Sequence, residues 1–193
     1  MQLQRGLLVV ISSPSGGGKT TVIQELRRRC PELKYSISAT TRPPRKGEKN
    51  GRDYFFLTEA EFRNKIAAGE FIEWAEVHGY LYGTTRQYLE PLLQQGETIV
   101  LDIDVIGGLN IKKLYPQDSL LLFLKPPSVK ELFTRLWKRG TESTTEIVKR
   151  FSRVPWEIAK AKEYDVVIVN KDLTKTVNKI IEVIQNYKKH GGR

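Results

Sequence analysis

Short apolar runs alternate with longer segments of helical periodicity along this chain. The runs most typical of β-strands are Leu7–Ser12, Thr98–Ile103, Ser119–Leu124 and Asp165–Val169. Because both faces of each run are rich in leucine or β-branched residues, they predict strands buried in a parallel sheet. Strands that alternate with helices in this way indicate a doubly wound α/β core.

Helical patterns fill the intervals between these strands. One helix is predicted to begin at Lys19, and others to cover Ser128–Arg139, Thr145–Lys162 and Leu173–Lys188. Ser128 and Glu131 have the spacing of a capping box, and Gly140 is a stop signal for that helix. Pro155 falls inside the third helix. A proline there lacks a backbone N–H, so we expect this helix to kink, to break or to start later.

Residues 38–95 interrupt this alternation. The segment Thr40–Asp53 is polar and rich in turn residues. The strands predicted beyond it are Asp53–Leu57 and Glu70–Val77. A helix follows Thr58, which forms a capping box with Glu61, and His78–Gly83 has the composition of a turn. We therefore predict an inserted subdomain of small strands and one helix.

Composition limits the class of protein. The chain has 193 residues, of which 39% are hydrophobic and 28% are charged, as in a single globular domain. No run approaches the ~18 apolar residues of a membrane span, and the N-terminus lacks the plan of a signal peptide. Cys30 is the only cysteine, so no internal disulfide forms. We predict a cytoplasmic protein without a membrane partner, either a monomer or a homodimer.

The charge balance is strongly basic, with 32 Lys and Arg residues against 22 Asp and Glu residues and a formal net charge of +10. Such an excess attracts nucleic acid, or it draws small anionic substrates into a basic cleft. The arginines are scattered among several motifs and do not form one stripe with aromatic residues. This pattern favours small anionic substrates and no nucleic acid.

The most informative motif, SSPSGGGKTT, lies between the first predicted strand and the first helix. Glycines allow successive backbone N–H groups to turn inward around an anion, and the N-terminus of the helix faces the same point. Lys19 can then reach the β- and γ-phosphates of a nucleotide, and the Thr20 hydroxyl can hold Mg²⁺. The residues predicted to bind ATP here are Ser13, Pro14, Ser15, Gly16, Gly17, Gly18, Lys19, Thr20 and Thr21.

One position departs from this phosphate-binding pattern, because Ser13 stands where its first glycine belongs. A flexible Gly/Ser turn is the alternative interpretation. The apolar strand before the motif and the GKT sequence at its end argue against that alternative.

A second set of motifs is suited to another phosphate. Arg42 and Arg45 lie three residues apart in a proline-stiffened loop, and the planar fork of arginine fits a phosphate dianion. Tyr54 and Tyr82 add phenol groups next to glycines. Each feature alone is equally typical of an exposed basic loop or of a small aromatic core.

Taken together, TTRPPR, NGRDY, FIEW and LDID, in that order, resemble the guanylate kinases, and the resemblance runs from the phosphate-binding loop to near the C-terminus. It implies transfer of the γ-phosphoryl group of ATP to GMP, giving ADP and GDP, with Mg²⁺. It also implies three parts: a core of about residues 1–37, 96–138 and 160–193, a mixed GMP-binding subdomain at 38–95, and a helical lid at 139–159.

The resemblance assigns roles to individual residues. The residues that would recognise guanine are Ser38, Glu73, Thr84 and Asp104. Those that would bind the GMP phosphate are Arg42, Arg45, Tyr54 and Tyr82. Catalytic roles fall to Lys19, Arg42, Asp102, Arg135 and Arg150, while Arg135 and Arg139 also contact ATP. The metal ligands would be Thr20 and Asp102.

Guanine chemistry agrees with this assignment. The Glu73 carboxylate can accept from the N1–H and N2–H₂ groups, and the Thr84 hydroxyl can donate to O6. Adenine would leave the carboxylate without donors, which is costly in a buried site. The alternative for Glu73 is a solvated acid on a strand. Two positions depart from the family pattern, since Thr84 replaces a serine and Ile106 stands where glutamine is frequent.

Two other functions compete with the kinase. A non-catalytic guanylate-kinase-like scaffold that binds proteins would carry a degraded phosphate-binding loop, whereas Lys19 and Thr20 are present here. A phosphate-binding-loop protein that acts on nucleic acid would explain the charge, but the chain has no recognisable nucleic-acid module.

Overall fold

The computed structural model describes residues 6–138 and 144–190. The strands are β1 (Leu7–Ser12), β2 (Lys34–Tyr35), β3 (Ala39–Thr40), β4 (Phe55–Phe56), β5 (Phe71–Val77), β6 (Tyr80–Thr85), β7 (Thr98–Asp102), β8 (Ser119–Lys125) and β9 (Val166–Val169). The helices are α1 (Lys19–Arg29), α2 (Glu59–Ala67), α3 (Arg86–Gln94), α4 (Val105–Leu114), α5 (Val129–Lys138), α6 (Thr144–Lys160) and α7 (Leu173–Lys189), with a 3₁₀ turn at Ala161–Glu163. In these described segments, no helix is both long and apolar enough to cross a membrane.

Five strands form the main sheet, in the order β2-β7-β1-β8-β9, and every neighbouring pair is parallel. The four strands predicted from apolar runs are all in this sheet, and their ends differ from the prediction by one residue at most. The predicted parallel α/β core is therefore confirmed.

The central strand β1 is buried on both faces, which explains its uninterrupted apolar sequence. Val9 and Ile11 point to one side, where they pack in a cluster with residues of α1 and α7. Leu8 and Val10 point to the other side and pack with residues of α3 and α4. The two-residue period of a strand thus divides one apolar run between two cores.

The second sheet, here called the small sheet, has the order β4-β3-β6-β5. Its β3–β4 pair is parallel, and its other two pairs are antiparallel. Phe62 from α2 packs on the sheet with Ala39, Phe71 and Leu81. The predicted capping box at the start of α2 is present, because Thr58 and Glu61 bond each other's backbone N–H.

The segment His78–Gly83, predicted to be turn-rich, is mostly strand, and that prediction is wrong. The turn itself is limited to His78 and Gly79, both in the left-handed region, with φ of 55° and 82°. Val77 and Tyr80 pair directly on either side of it. Two left-handed residues are what a tight hairpin requires, so strand β6 begins at once after the turn.

Helix α6 runs through Pro155 without interruption and begins at Thr144, so the predicted break or later start is wrong. The proline ring is exposed, and the helix is held on its other side by the contact of Val154 with Leu132 of α5. The start of α5 agrees with prediction, since the Ser128 hydroxyl accepts from the Glu131 N–H at 3.1 Å. The predicted stop signal, Gly140, lies outside the described residues.

The small sheet leaves no room for a side chain at Gly83. A Cβ there would lie 2.8 Å from Cδ1 of Phe71 and 3.0 Å from Cζ of Phe62, and these two rings stack with centroids 4.4 Å apart. We expect Gly83→Ala to lower the free energy of unfolding by about 1–3 kcal/mol, as for overpacking of a core. Denaturant unfolding followed by circular dichroism measures the change.

The background Phe71→Leu supplies the control, because it removes the nearer of the two rings that the new methyl group meets. The additional loss caused by Gly83→Ala should be smaller in that background. An equal loss in both backgrounds would contradict the overpacking explanation.

Candidate active site

The loop between β1 and α1 is shaped to surround an anion. Gly16 and Gly18 adopt left-handed backbone angles, with φ of 82° and 87°, and the Gly17 N–H donates to the carbonyl of Pro14 at 2.8 Å. A Cβ on Gly17 would lie 2.9 Å from Cβ of Ser13. The glycines therefore permit a curvature that other residues would strain, and consecutive N–H groups in such a curve form an anion nest.

Two distant residues hold this loop in place, and the sequence motifs did not reveal either role. Asn170, directly after β9, donates from Nδ2 to the carbonyl of Gly17 at 2.8 Å in a buried bond. Glu157 of α6 accepts from the Ser15 N–H at 3.4 Å, and burial raises the pKa of its carboxyl group. The loop thus depends on contacts from the C-terminal third of the chain.

Lys19 connects the loop to the end of β7. Its ammonium group lies 2.8 Å from Oδ1 of Asp102 and donates to the carbonyl of Ile103 at 2.6 Å. Because β1 and β7 pair in parallel with Ile11 beside Asp102, the predicted phosphate-binding lysine and the predicted metal ligand come together at the carboxyl edge of the sheet. Ligand sites form at this edge in open α/β sheets.

A cleft separates this edge from the small sheet and brings together seven of the predicted site residues, namely Lys19 and Asp102 with five of those predicted to bind GMP. It is lined by Lys19, Ser38, Tyr54, Glu73, Val77, Tyr82, Gly83, Asp102, Ile103 and Asp104. An adjoining recess is lined in part by Thr20 and Arg45, together with Asp102 and Tyr54, which belong to both spaces. Residues far apart in the chain therefore face two adjoining spaces, which share Ser38, Tyr54 and Asp102.

Glu73 is buried, with 7% of its surface exposed, so it is not a solvated acid. The Thr84 hydroxyl, fully buried on the paired strand, donates to Glu73 Oε1 at 2.7 Å. Burial raises the Glu73 pKa to about 7, and the nearby charge of Asp104 acts in the same direction, against the Thr84 bond. The Glu73 carboxyl group is therefore shielded from water and takes up a proton more readily than an exposed glutamate does.

Asp104 and Gly107 bring helix α4 against this carboxylate. Asp104 caps the helix by accepting from the Gly107 N–H at 2.9 Å. A Cβ on Gly107 would lie only 2.7 Å from Glu73 Oε2. The bare backbone of the first helical turn therefore forms one wall around Glu73, a role for Gly107 that sequence reasoning missed.

Arg42 is also buried, with 6% of its surface exposed. Its Nη2 atom lies 3.0 Å from both carboxylate oxygens of Glu48, and its guanidinium lies over the ring of Tyr54 at 5.4 Å from the centroid. The Tyr54 ring meets that of Tyr82 edge-on at 6.2 Å. The arginine and the two phenols predicted to share a phosphate therefore form one cluster.

Of the three arginines predicted to contact the ATP phosphates, the structure describes two. Arg135 belongs to α5, and Arg150, half-buried, belongs to α6. Arg139 lies outside the described residues. Their contacts with ATP stay a prediction.

The donor set near Thr20 and Asp102 fits a magnesium ion bound mainly by phosphate and water. Thr20 lies in the first turn of α1, and its side chain and that of Asp102 line the same recess. Across residues 6–138 and 144–190, no cluster of three or more His, Cys, Asp or Glu side chains is arranged to hold a metal. Mg²⁺ commonly takes one or two protein oxygens and completes its shell with substrate phosphates and water.

Comparison with known proteins gives a consistent result. A family model described as guanylate kinase matches residues 5–187. The guanylate kinase of Thermotoga maritima is 42% identical over 182 residues, which cover 94% of this chain and 87% of the relative. That of Thermosynechococcus vestitus is 48% identical over 174 residues, 90% of this chain and 91% of the relative. A crystal structure of guanylate kinase from Anaplasma phagocytophilum superposes with a TM-score of 0.82 at 33% identity, covering 96% of this chain and 87% of that one.

The buried carboxylate of Glu73 should weaken the fold at alkaline pH. Its folded pKa of about 7 lies above 4.5, the ordinary value of a glutamate, so the free energy of unfolding falls as pH rises from 4.5 through 7. We expect Glu73→Gln to be more stable than the wild type at pH 8, by no more than roughly 3 kcal/mol, and this gain to vanish near pH 4.5. Urea unfolding at both pH values measures the difference.

Glu76, exposed on the same strand, provides the matched control. Glu76→Gln should change stability little at either pH. If Glu73→Gln lost stability equally at pH 8 and pH 4.5, burial of the charge would not be the cause.

Proposed function

The chain belongs to the guanylate kinase family, and from that premise we propose how its residues act. The enzyme transfers the γ-phosphoryl group of ATP to GMP, giving ADP and GDP. The observation that carries the assignment of residues is the single cleft that joins Lys19 of the phosphate-binding loop to the buried Glu73–Thr84 pair. The cytoplasmic location and the monomeric or homodimeric state stay predictions from the sequence.

Guanine recognition rests on Glu73 and Thr84. The Thr84 hydroxyl has one proton to donate, and in this structure it donates a hydrogen bond to Glu73. We propose that the N1–H and N2–H₂ groups of guanine replace this donor at the carboxylate and release the Thr84 hydroxyl for O6. Ser38 and Asp104, which line the same cleft, complete the contacts around the base.

Adenine is rejected by the same arrangement. Its N1 atom would bring a lone pair toward Glu73 where guanine brings a proton. A buried carboxylate without donors is costly, so a site built to accept from guanine discriminates strongly against an analogue that lacks those donors.

The phosphates meet between the two sheets. Arg42, Arg45, Tyr54 and Tyr82 hold the GMP phosphate, and the loop from Ser13 to Thr21 holds those of ATP. Thr20 and Asp102 would hold Mg²⁺, which would neutralise charge on the phosphate oxygens. Lys19 leaves Asp102 and moves to the β- and γ-phosphates.

Catalysis in this arrangement is mainly positioning and charge neutralisation, as is usual for phosphoryl transfer. Arg135 and Arg150 would add positive charge from the lid, and Arg139 would contact ATP there. This division of labour explains why the site carries lysine and arginine and needs no nucleophilic side chain.

Acceptor selectivity tests the function directly. We expect rapid ADP formation from MgATP with GMP, and rates near the blank with AMP, with short RNA or without an acceptor. Lys19→Ala should lower kcat with GMP by about 10²–10³-fold or more, because the ammonium stabilises charge as it moves between phosphates. A coupled ADP assay measures all of these rates.

The control is Lys65→Ala, which removes a lysine paired with Glu70 on the surface of the small-sheet subdomain. It should leave kcat unchanged. Comparable rates with AMP and GMP, or near-normal kcat in folded Lys19→Ala, would contradict the proposal.

Closure of the cleft is expected because water must be excluded from the transfer. We propose that the core, the 38–95 subdomain and the 139–159 lid move as separate parts. Their hinges would lie near Ser38, Gly96 and Gly140, and Gly96 has a left-handed φ of 81°.

GMP with a non-hydrolysable ATP analogue should reduce the radius of gyration of the protein and slow hydrogen exchange in 38–95. Solution scattering and exchange unchanged by both ligands would contradict closure.

A further inference from the structure

Glu48 lies within the group of side chains that faces the GMP phosphate in the function proposed above, yet no role has been assigned to it. It is in the loop between β3 and β4, and its side chain is 20% accessible. Both of its carboxylate oxygens lie 3.0 Å from Nη2 of Arg42. The pair is removed from water at the point where a substrate dianion would bind.

The same carboxylate also holds the backbone of the second arginine. The Arg45 N–H donates to Glu48 Oε2 at 2.7 Å, and the Glu48 N–H donates to the Arg45 carbonyl at 3.0 Å. Gly47, with φ of 90°, allows the reversal of direction that these two bonds enclose. Glu48 therefore connects the side chain of Arg42 to the main chain of Arg45.

Arg42 is fixed on its remaining sides as well. Its Nη1 atom donates to the Pro43 carbonyl at 2.6 Å, and its guanidinium lies over the rings of Tyr54 and Phe56 at 5.4 and 5.9 Å. A guanidinium has five N–H donors, and the contacts to Glu48 and Pro43 use only part of them. Even with a further bond to Tyr82, the group can therefore donate to a phosphate while Glu48 continues to orient it.

We propose that Glu48 is a positioning residue for the GMP phosphate. It sets the separation and direction of Arg42 and Arg45 before the substrate arrives, so that less ordering is required on binding. The proposal rests on the function proposed above. It makes the phosphate, and not the guanine base, the part of GMP that Glu48 affects.

Two other roles make different predictions. If the carboxylate merely occupied the phosphate position, its removal would tighten GMP binding. If it served only the general stability of the loop, its removal would weaken binding of the base and of the phosphate alike.

The test compares GMP with guanosine, which lacks the phosphate, on the full-length protein. Binding is measured by calorimetry for GMP and by NMR titration for guanosine, with wild type, Glu48→Gln and Glu48→Ala. We expect about a 10–100-fold weaker affinity for GMP, consistent with loss of a charged hydrogen-bond partner. The affinity for guanosine, the KM for ATP and kcat at saturating GMP should each stay within about twofold.

Glu59→Gln is the matched control, because Glu59 forms an exposed pair with Arg63 in the same subdomain. It should change none of these values. The Glu48→Gln effect should also shrink in an Arg42→Ala background, because much of it acts through Arg42. Thermal unfolding verifies that each variant is folded.

Several results would overturn the proposal. They are tighter GMP binding by Glu48→Gln, equal losses for GMP and guanosine, or a GMP affinity of Glu48→Gln equal to that of a wild type that phosphorylates GMP. If the wild type neither bound nor phosphorylated GMP, the proposed function and the role of Glu48 would both fall. If it did both and only the Glu48 comparison failed, the function would stand.

Discussion

The parallel pairing of β1 with β7 is the constraint on which the rest of the site depends. Because both strands end at the same edge of the sheet, the loop that follows β1 and the acids that follow β7 are brought together. Lys19 then meets Asp102 at 2.8 Å, and Asp104 caps α4 beside Glu73. The apolar faces of β1 fix this pairing by packing on both sides, so core packing positions the charged groups.

The sequence predicts four of the five strands of the main sheet. In the small sheet it predicts β5 to within one residue and the position of β4, but neither β3 nor β6. The difference has a physical reason. A strand buried on both faces, such as β1, is apolar along its whole length and ends where turn residues begin. Strand β3 has only two residues, Ala39 and Thr40, in a polar segment, and no periodicity reveals it. The prediction of one helix within residues 38–95 is wrong, because α3 follows α2 there. Neither α3 nor α4 is predicted individually. Pro91 lies inside α3, and Gly107 and Gly108 lie inside α4, and these residues are poor helix formers.

The candidate site likewise contains residues that the sequence predicts and residues that it does not. Lys19 and Thr20 are predictable because the chemistry of phosphate binding requires a local order of residues. Glu157, Asn170 and Gly107 act through contacts with segments distant in the chain, such as the bond between Asn170 and Gly17, 153 positions apart. Neither residue type nor spacing signals such a contact before the fold is known. Pro155 illustrates the converse, because tertiary packing retains a helix that local propensity disfavours.

In the proposed function, two glutamates serve the two ends of GMP. Glu48 is paired with a guanidinium, so its charge is already compensated and can serve to orient arginines. Glu73 accepts from the Thr84 hydroxyl, and its raised pKa reflects the cost of burying a charge, which this bond offsets only in part. A ligand that brings N–H groups to Glu73 relieves this cost, whereas one that brings a lone pair increases it. On the proposed function, selectivity for the base arises from the cost of leaving the buried Glu73 carboxylate without donors, and recognition of the phosphate arises from arginines that are oriented in advance.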